Sequence, residues 1–200
     1  CQGTSNQLTL LGTRESHYNK MVTMYSNCSV VLENLEVTFT LEHQDLSFLQ
    51  SIQEVGGYVL IAINEAATVP LLNLRLIRGQ NLYQNQFALL VMSNYNRNHS
   101  SASLNYTSGL RQLQLSSLRE ILKGGVKMTN NPLLCNIETI QWWDILDKAS
   151  NPSVLFKTDT FPRTCERCDP GCVNGSCWAA GPEHCQKCKL FILCSFTLSL

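Results

Sequence analysis

The residues Leu46-Ser47-Phe48-Leu49-Gln50-Ser51-Ile52-Gln53-Glu54-Val55-Gly56-Gly57-Tyr58, running on into Val59-Leu60-Ile61-Ala62-Ile63-Asn64, decide the fold. They read as a turn unit feeding an apolar strand, and the unit recurs. Leu115-Ser116-Ser117-Leu118-Arg119-Glu120-Ile121-Leu122-Lys123-Gly124-Gly125-Val126 repeats the pattern L-S-x-L-x-x-I followed by a glycine pair. A related strand lies between them at Phe87-Ala88-Leu89-Leu90-Val91-Met92-Ser93-Asn94, and another precedes them at Cys28-Ser29-Val30-Val31-Leu32. Between strand centres, Leu32 to Leu60 is 28 residues, Leu60 to Leu89 is 29, and Leu89 to Val126 is 37. The last interval holds a polar insertion over residues 97–108. Self-similarity at a period of roughly 20–50 residues marks a solenoid, because one coil cannot bury its own apolar face and must stack on the next. The first three-quarters of the chain therefore reads as a short β-helix.

Composition agrees with a packed core. Apolar residues make up 44% of the 200-residue chain and charged residues 15%, which excludes a disordered class. Fifteen basic residues balance fifteen acidic ones, so the chain offers no electrostatic footprint for nucleic acid or an anionic membrane. Of ten cysteines, seven fall between Cys165 and Cys194, which places a boundary near residue 160 and a disulfide-dense module after it. Four N-x-S/T sequons, at Asn27, Asn98, Asn105 and Asn174, join the cysteines in pointing to an oxidising secretory compartment and an extracellular product. No signal peptide precedes Cys1, so the expectation is a mature protein or a fragment of one.

Along the chain, Thr13 is placed to cap a helix whose face is Tyr18, Met21, Val22 and Tyr25, a lid over the first coil. Val30, Leu32, Leu35, Val37 and Phe39 alternate in two short strands that bend at Glu33 and Asn34. In the run Leu74-Arg75-Leu76-Ile77-Arg78-Gly79, Leu74 and Leu76 are expected inward and the arginines in water. The polar insertion reads as a surface loop. Leu110, Leu113, Leu115, Leu118, Ile121 and Leu122 form a leucine-rich turn, with Val126 and Met128 opening the next strand. A closing helix is expected over residues 136–146, with Trp142-Trp143 as core plus rim, and Val154-Leu155-Phe156 as a last strand.

No catalytic constellation stands out. There is no G-x-S-x-G, P-loop, G-x-G-x-x-G or H-E-x-x-H, and the histidines His17, His43, His99 and His184 show no ligand spacing. A solvated face accounts for Glu33, Glu36, Glu42 and Glu54, and no cofactor is implied. Cys165-x2-Cys168 and Cys185-x2-Cys188 match a four-cysteine zinc spacing. Cys172, Cys177 and the Asn174 sequon sit between them, which favours disulfides over a metal.

The segments Cys1-Gln2-Gly3-Thr4-Ser5-Asn6, Asp45-Leu46-Ser47-Phe48-Leu49, Gly57-Tyr58-Val59-Leu60-Ile61-Ala62, Ile77-Arg78-Gly79, Asn130-Asn131-Pro132, Leu134-Cys135-Asn136 and Cys168-Asp169-Pro170 closely resemble, in order, the ectodomain of the ErbB (epidermal growth factor receptor) family of receptor tyrosine kinases. The resemblance covers about residues 1–187. It implies a mainly β receptor L domain over 1–160, a right-handed parallel β-helix with leucine-rich-repeat character. The start of a furin-like cysteine-rich module follows over 161–187, and a divergent apolar tail over 188–200. It further implies the disulfides Cys1–Cys28, Cys135–Cys165, Cys168–Cys177 and Cys172–Cys185, and a tryptophan anchor between the two domains at Trp178.

The partner implied by the resemblance is an EGF-like growth factor, bound through Asn6, Leu8, Leu10, Gly12, Phe39, Ile63, Gln84, Met92 and Ser93. Three of these depart from the family's commonest pattern: Leu10 for a glutamine, Phe39 for a tyrosine and Gln84 for a glutamate. The kinase, dimerisation arm and membrane helix of the family are expected to lie outside this chain, which would be extracellular, with the full-length family member in the plasma membrane. The tail from Leu190 holds eleven largely apolar residues, against about twenty for a bilayer span. It reads as a read-through end that leaves Cys188 and Cys194 without family partners. The alternative is a truncated product or secreted decoy without significant ligand binding.

Overall fold

The computed structural model describes residues 1–96, 108–157 and 164–189. Thr13 caps helix α1 (Arg14–Tyr25), its hydroxyl oxygen accepting the Ser16 N–H at 3.1 Å. The buried stripe is His17, Met21 and Tyr25, one residue every four. Val22 is only half-buried, so the stripe runs through His17 in its place.

Strands then follow in short segments: β1 (Val30–Val31), β2 (Leu35–Thr38), β3 (Glu54–Val55), β4 (Val59–Ala62), β5 (Thr68–Val69) and β6 (Leu76–Ile77). Next come β7 (Phe87–Met92), β8 (Gln112–Leu113), β9 (Glu120–Ile121) and β10 (Gly125–Thr129). A short helix α2 (Trp142–Ile145) and β11 (Val154–Lys157) close the series. All the strand pairings are parallel. They build a four-stranded sheet β1-β3-β6-β9, a five-stranded sheet β11-β10-β7-β4-β2 and the pair β5-β8. Parallel neighbours need a crossover, and here β4 to β7 runs by way of β5 and β6, and β7 to β10 by way of β8 and β9, strands of the other two sheets.

The register corrects the first counted interval. The strand at 28–32 supplies β1 of the four-stranded sheet, where Val31 pairs with Val55. The neighbour of β4 is β2, with Leu35 opposite Val59, a repeat of 24 residues. Val31 is the core residue of β1, while Val30 and Leu32 are exposed. The same slip occurs in β6, where Ile77 is fully buried and Leu76 only half so. In a two-residue strand one step of register exchanges the two faces.

Along the five-stranded sheet, Leu35, Val37, Val59, Ile61, Leu89, Val91, Val126 and Met128 point into the main core. The glycine pairs sit where successive circuits come closest. A Cβ on Gly56 would lie 2.1 Å from the Leu32 carbonyl oxygen, and one on Gly125 would lie 2.2 Å from that of Ser153. At the far end of the strands, asparagines tie the circuits together. The Asn64 side chain donates to the Val37 carbonyl at 2.9 Å and to Asn94 Oδ1 at 2.9 Å. Asn94 repeats this toward Ile61 and Asn131 at 3.0 and 2.9 Å, and Asn131 reaches the Val91 carbonyl at 2.8 Å. All three are buried, so every bond is made away from competing water.

The closing segment is not one helix. A 3-10 turn at Ile137–Thr139 and α2 are separated by extended Ile140, whose side chain turns into the core. Trp142 is buried and Trp143 is 55% exposed, the core-plus-rim arrangement expected of the pair. The cysteines join as Cys1–Cys28, Cys135–Cys165, Cys168–Cys177 and Cys172–Cys185, the four pairs implied by the resemblance. Cys165, Cys168 and Cys185 are thus committed to three different bridges, which leaves a zinc ribbon without its sulfurs. Cys188 is also disulfide-bonded. Cys194, the insertion at 97–107 and the rest of the tail lie outside the described residues.

Residues 164–189 fasten to the end of the stack by reciprocal hydrogen bonds. Cys177 N–H donates to Thr139 Oγ1 at 3.0 Å, Gln141 N–H to Gln186 Oε1 at 2.8 Å, and Gln186 Nε2 back to the Gln141 carbonyl at 3.1 Å. Trp178, fully buried, meets Trp142 edge to face at 5.6 Å.

Candidate ligand-binding face

A parallel strand buried on one side must show its alternate residues to the other, and here that second face is not simply polar. The register aligns Glu36, Leu60, Leu90 and Lys127 in one row, and Thr38, Ala62, Met92 and Thr129 in the next. Tyr58, Leu60, Ala62, Tyr83, Phe87 and Leu90 form a second apolar cluster on this face, with Ile63 and Met92 packed against it. Tyr58 and Tyr83 meet edge to face at 5.6 Å. The Lys127 ammonium lies over the Phe87 ring, 5.4 Å from its centroid.

Glu36 breaks the expectation of a solvated carboxylate: it is buried, with 3% of its surface exposed. A buried charge must be compensated by donors, and four reach it. The Thr4 hydroxyl donates at 2.6 Å, the Asn6 N–H at 2.7 Å, the Gln7 N–H at 2.8 Å and the Tyr58 hydroxyl at 2.7 Å. Burial and the adjoining carboxylate push the Tyr58 phenol far above its usual range. Glu36 thereby lays the N-terminal segment across the edge strand β2. Beyond Gln7, which adopts a left-handed conformation, the side chains of Leu8 and Leu10 stand 39% and 38% exposed.

The second element is a row of corners. Phe39, Ile63, Ser93 and Asn130 each follow the last residue of a long strand, and each has a positive φ between 55° and 59°. Such a conformation is unfavourable for a side chain larger than glycine, most of all for β-branched Ile63. It holds because the corner amides pair onward: Phe39 N–H to the Ala62 carbonyl at 3.3 Å, Ile63 to Met92 at 3.2 Å, Ser93 to Thr129 at 3.1 Å. A ladder asparagine stands directly after three of these corners, and after Phe39 the hydroxyl of Thr40 donates to Asn64 Oδ1 at 2.8 Å.

Of the nine expected contact positions, Phe39, Ile63 and Ser93 occupy equivalent corners, with Met92 beside the last. Asn6, Leu8 and Leu10 lie on the N-terminal segment pinned by Glu36. Phe39 touches that side of the molecule through its ring contact with His17, 5.5 Å between centroids. Gln84 is exposed, in a left-handed turn next to Tyr83 of the second cluster. Gly12 sits apart, at the start of α1 with Ser16 as its neighbour. Asn27 and Asn174, the two sequon asparagines among the described residues, are both exposed. Among the described residues no group of three or more metal-ligating side chains converges, and no helix is long and apolar enough to cross a membrane.

The profile of the receptor L domain family matches residues 27–146, which spans the stacked strands from β1 to α2. The chain belongs to the receptor L domain family. It is 68% identical over 187 residues to the melanoma receptor tyrosine-protein kinase of Xiphophorus maculatus, covering 94% of this chain and 16% of that protein. It is 48% identical to the epidermal growth factor receptor of Gallus gallus, covering 93% and 26%. Against the receptor tyrosine-protein kinase erbB-2 of Mesocricetus auratus identity is 42%, covering 93% and 15%. The L domain chain thus shows strong homology to ErbB-family ectodomains while spanning about a sixth to a quarter of these relatives' lengths. The kinase of those relatives lies in the remainder of their sequences.

Proposed function

We propose that the chain is the growth-factor-binding start of an ErbB-type receptor ectodomain, acting outside the cell and not as a catalyst. Residues 1–160 are its first L domain, wound as a right-handed parallel β-helix. Residues 161–187 open a furin-like cysteine-rich module, and 188–200 form a divergent tail. The partner is an EGF-like growth factor, docking on Asn6, Leu8, Leu10, Gly12, Phe39, Ile63, Gln84, Met92 and Ser93.

The observation that carries this reading is the pairing of an outward apolar segment, Leu8 and Leu10, with three left-handed corners at Phe39, Ile63 and Ser93. Backbone held in an unfavourable conformation concentrates at binding sites, and an exposed apolar segment beside an edge strand suits docking of a small protein. Leu10, Phe39 and Gln84 alter the chemistry offered and so bear on partner choice. Losing an interface charge at Gln84 changes encounter rate and selectivity more than affinity. In the family two L domains grip the ligand together, so one alone is expected to bind about 10²–10⁴ weaker.

The test is surface plasmon resonance of the purified, disulfide-intact chain against EGF-type growth factors. Saturable binding that Leu8→Asp with Leu10→Asp removes supports the reading. A folded chain that binds none of them overturns it in favour of a truncated product without ligand binding.

A further inference from the structure

Residues 4–12 carry Asn6, Leu8, Leu10 and Gly12, yet no titratable side chain. This strap forms one isolated antiparallel bridge, Thr4 with Asn34. Asn34 Nδ2 adds bonds to the Thr4 carbonyl and Ser5 Oγ at 2.9 and 3.0 Å, and beyond Ser5 two buried side chains take the strap's amides. Glu36 takes the amides of Asn6 and Gln7 and the Thr4 hydroxyl. His17, 4% exposed, takes the Leu11 N–H on Nδ1 at 3.2 Å. Between the two pins, Leu8, Thr9 and Leu10 stand exposed. A groove of about 960 Å³ runs beneath, lined by Thr4, Asn6, Leu11, His17, Met21 and Glu36 among others.

We propose that Glu36 and His17 are positioning residues that hold the strap in its ligand-binding shape, and that the His17 pin opens on acidification. This rests on the proposed binding role of the strap. A backbone N–H can only donate, so the Leu11 bond requires a bare Nδ1. The ring's one proton then sits on Nε2 and donates to Thr38 Oγ1 at 2.9 Å. Protonation sets a second N–H against the Leu11 N–H, and two donors cannot bond.

The groups facing His17 are Lys20 on its own helix, Glu36 and the Phe39 ring from the β2 side, and none from the strap; Glu15 lines the same groove but accepts from Gln44 Nε2 at 3.2 Å. Arg14 is occupied by an ion pair with Glu65. Burial first, then Lys20, lowers the imidazole below its ordinary value of 6.5, against an opposing pull from Glu36. A folded value below the unfolded one means the pin's contribution is complete above pH 6.5. It is lost as pH falls through the lowered folded value.

Amide hydrogen exchange, corrected for the intrinsic pH dependence of exchange, tests this on the wild-type chain, with His17 followed by NMR in the same samples. Leu11 protection should fall about tenfold between pH 7.5 and the acid side of the His17 titration, while Met21 to Tyr25 stay protected. Leu11 protection that is flat with pH, or that falls together with α1, overturns the proposal. His17→Asn supplies an acceptor that does not titrate and should make Leu11 protection independent of pH. Glu36→Gln keeps one acceptor oxygen and turns the other into a donor, so it should expose one of the Asn6 and Gln7 amides at both pH values and speed growth-factor dissociation. Exchange behaving as expected with growth-factor binding absent in every variant sinks the binding reading and leaves the strap intact. Unchanged dissociation from Glu36→Gln, where wild type binds and the Asn6 or Gln7 amide has opened, overturns the positioning role.

Discussion

Replacing Asn94 by alanine tests what joins the circuits of the stack. The side chain makes four hydrogen bonds, all at zero exposure. Its Nδ2 donates to the Ile61 carbonyl at 3.0 Å and to Asn131 Oδ1 at 2.9 Å. Its Oδ1 accepts the Asn64 N–H at 3.1 Å and Asn64 Nδ2 at 2.9 Å. After truncation, Asn64 Nδ2 keeps the Val37 carbonyl, and Asn131 Oδ1 keeps the Asn94 N–H at 3.3 Å. The Asn64 N–H loses its acceptor. An unsatisfied buried donor costs about 1–3 kcal/mol and each of the three further lost bonds about 0.5–1.5, so the total is about 2.5–7.5 kcal/mol. That is a large part of the roughly 5–15 kcal/mol that holds a domain folded. Urea unfolding of the disulfide-intact chain, followed by circular dichroism, reads it as a fall in midpoint at unchanged slope. Asn94→Asp adds a check of sign. A carboxylate buried among these groups has its pKa raised, so the variant regains stability as pH falls toward about 4. A loss below about 1 kcal/mol for Asn94→Ala would refute the view that the asparagines, and not the apolar stacking alone, lock the register.

Three further outcomes are expected. Trp178→Ala, which empties a fully buried indole site against Trp142, should cost about 3–5 kcal/mol and loosen residues 164–189 from the stack, read by scattering and exchange. Gly57→Ala should abolish folding, read as loss of secreted yield, because the added Cβ would lie 2.0 Å from Asn34 Oδ1, which itself accepts the Tyr58 N–H. Leu8→Asp with Leu10→Asp should leave the melting temperature nearly unchanged, since both side chains are exposed. Growth-factor binding by the same protein should fall at least tenfold.

The repeat was legible because its signals are local. Glycine pairs, leucine spacing and apolar runs each follow from one circuit having to lie on the next. What alternation could not settle was the register of two-residue strands: Val30-Val31-Leu32 and Leu76-Ile77 are apolar throughout, so nothing in the pattern says which member faces inward. The asparagine ladder was visible in principle, as Asn64, Asn94 and Asn131 each stand two residues beyond a strand. Asparagine after an apolar run ordinarily means a turn, and that reading hides the ladder in the sequence. Ile140 broke the expected closing helix for a tertiary reason: the chain there bonds to Gln186 and Cys177 across a boundary that local propensity cannot see.

The candidate face was less legible, and Glu36 shows why. Between Leu35 and Val37 it reads as the solvent-facing member of an alternating strand, and it does point to the outer face. What buries it comes from about thirty residues earlier, where Thr4, Asn6 and Gln7 fold back over the strand. Two of its bonds are to backbone amides, so the strap's path at Asn6 and Gln7 does not depend on which side chains those residues carry. The same holds at Leu11, whose amide reaches His17. On the strap's side the frame is therefore held through backbone amides, which every residue but proline carries. What is offered to a partner is set by the side chains left outside the pins, at Leu8 and Leu10, and at the corners. An aliphatic residue at Leu10 changes the chemistry of the ledge without changing its position. On the proposed binding role, the partner preference of this chain should then follow the exposed side chains of the strap and corners, with Glu36 and His17 setting only how firmly that surface is held.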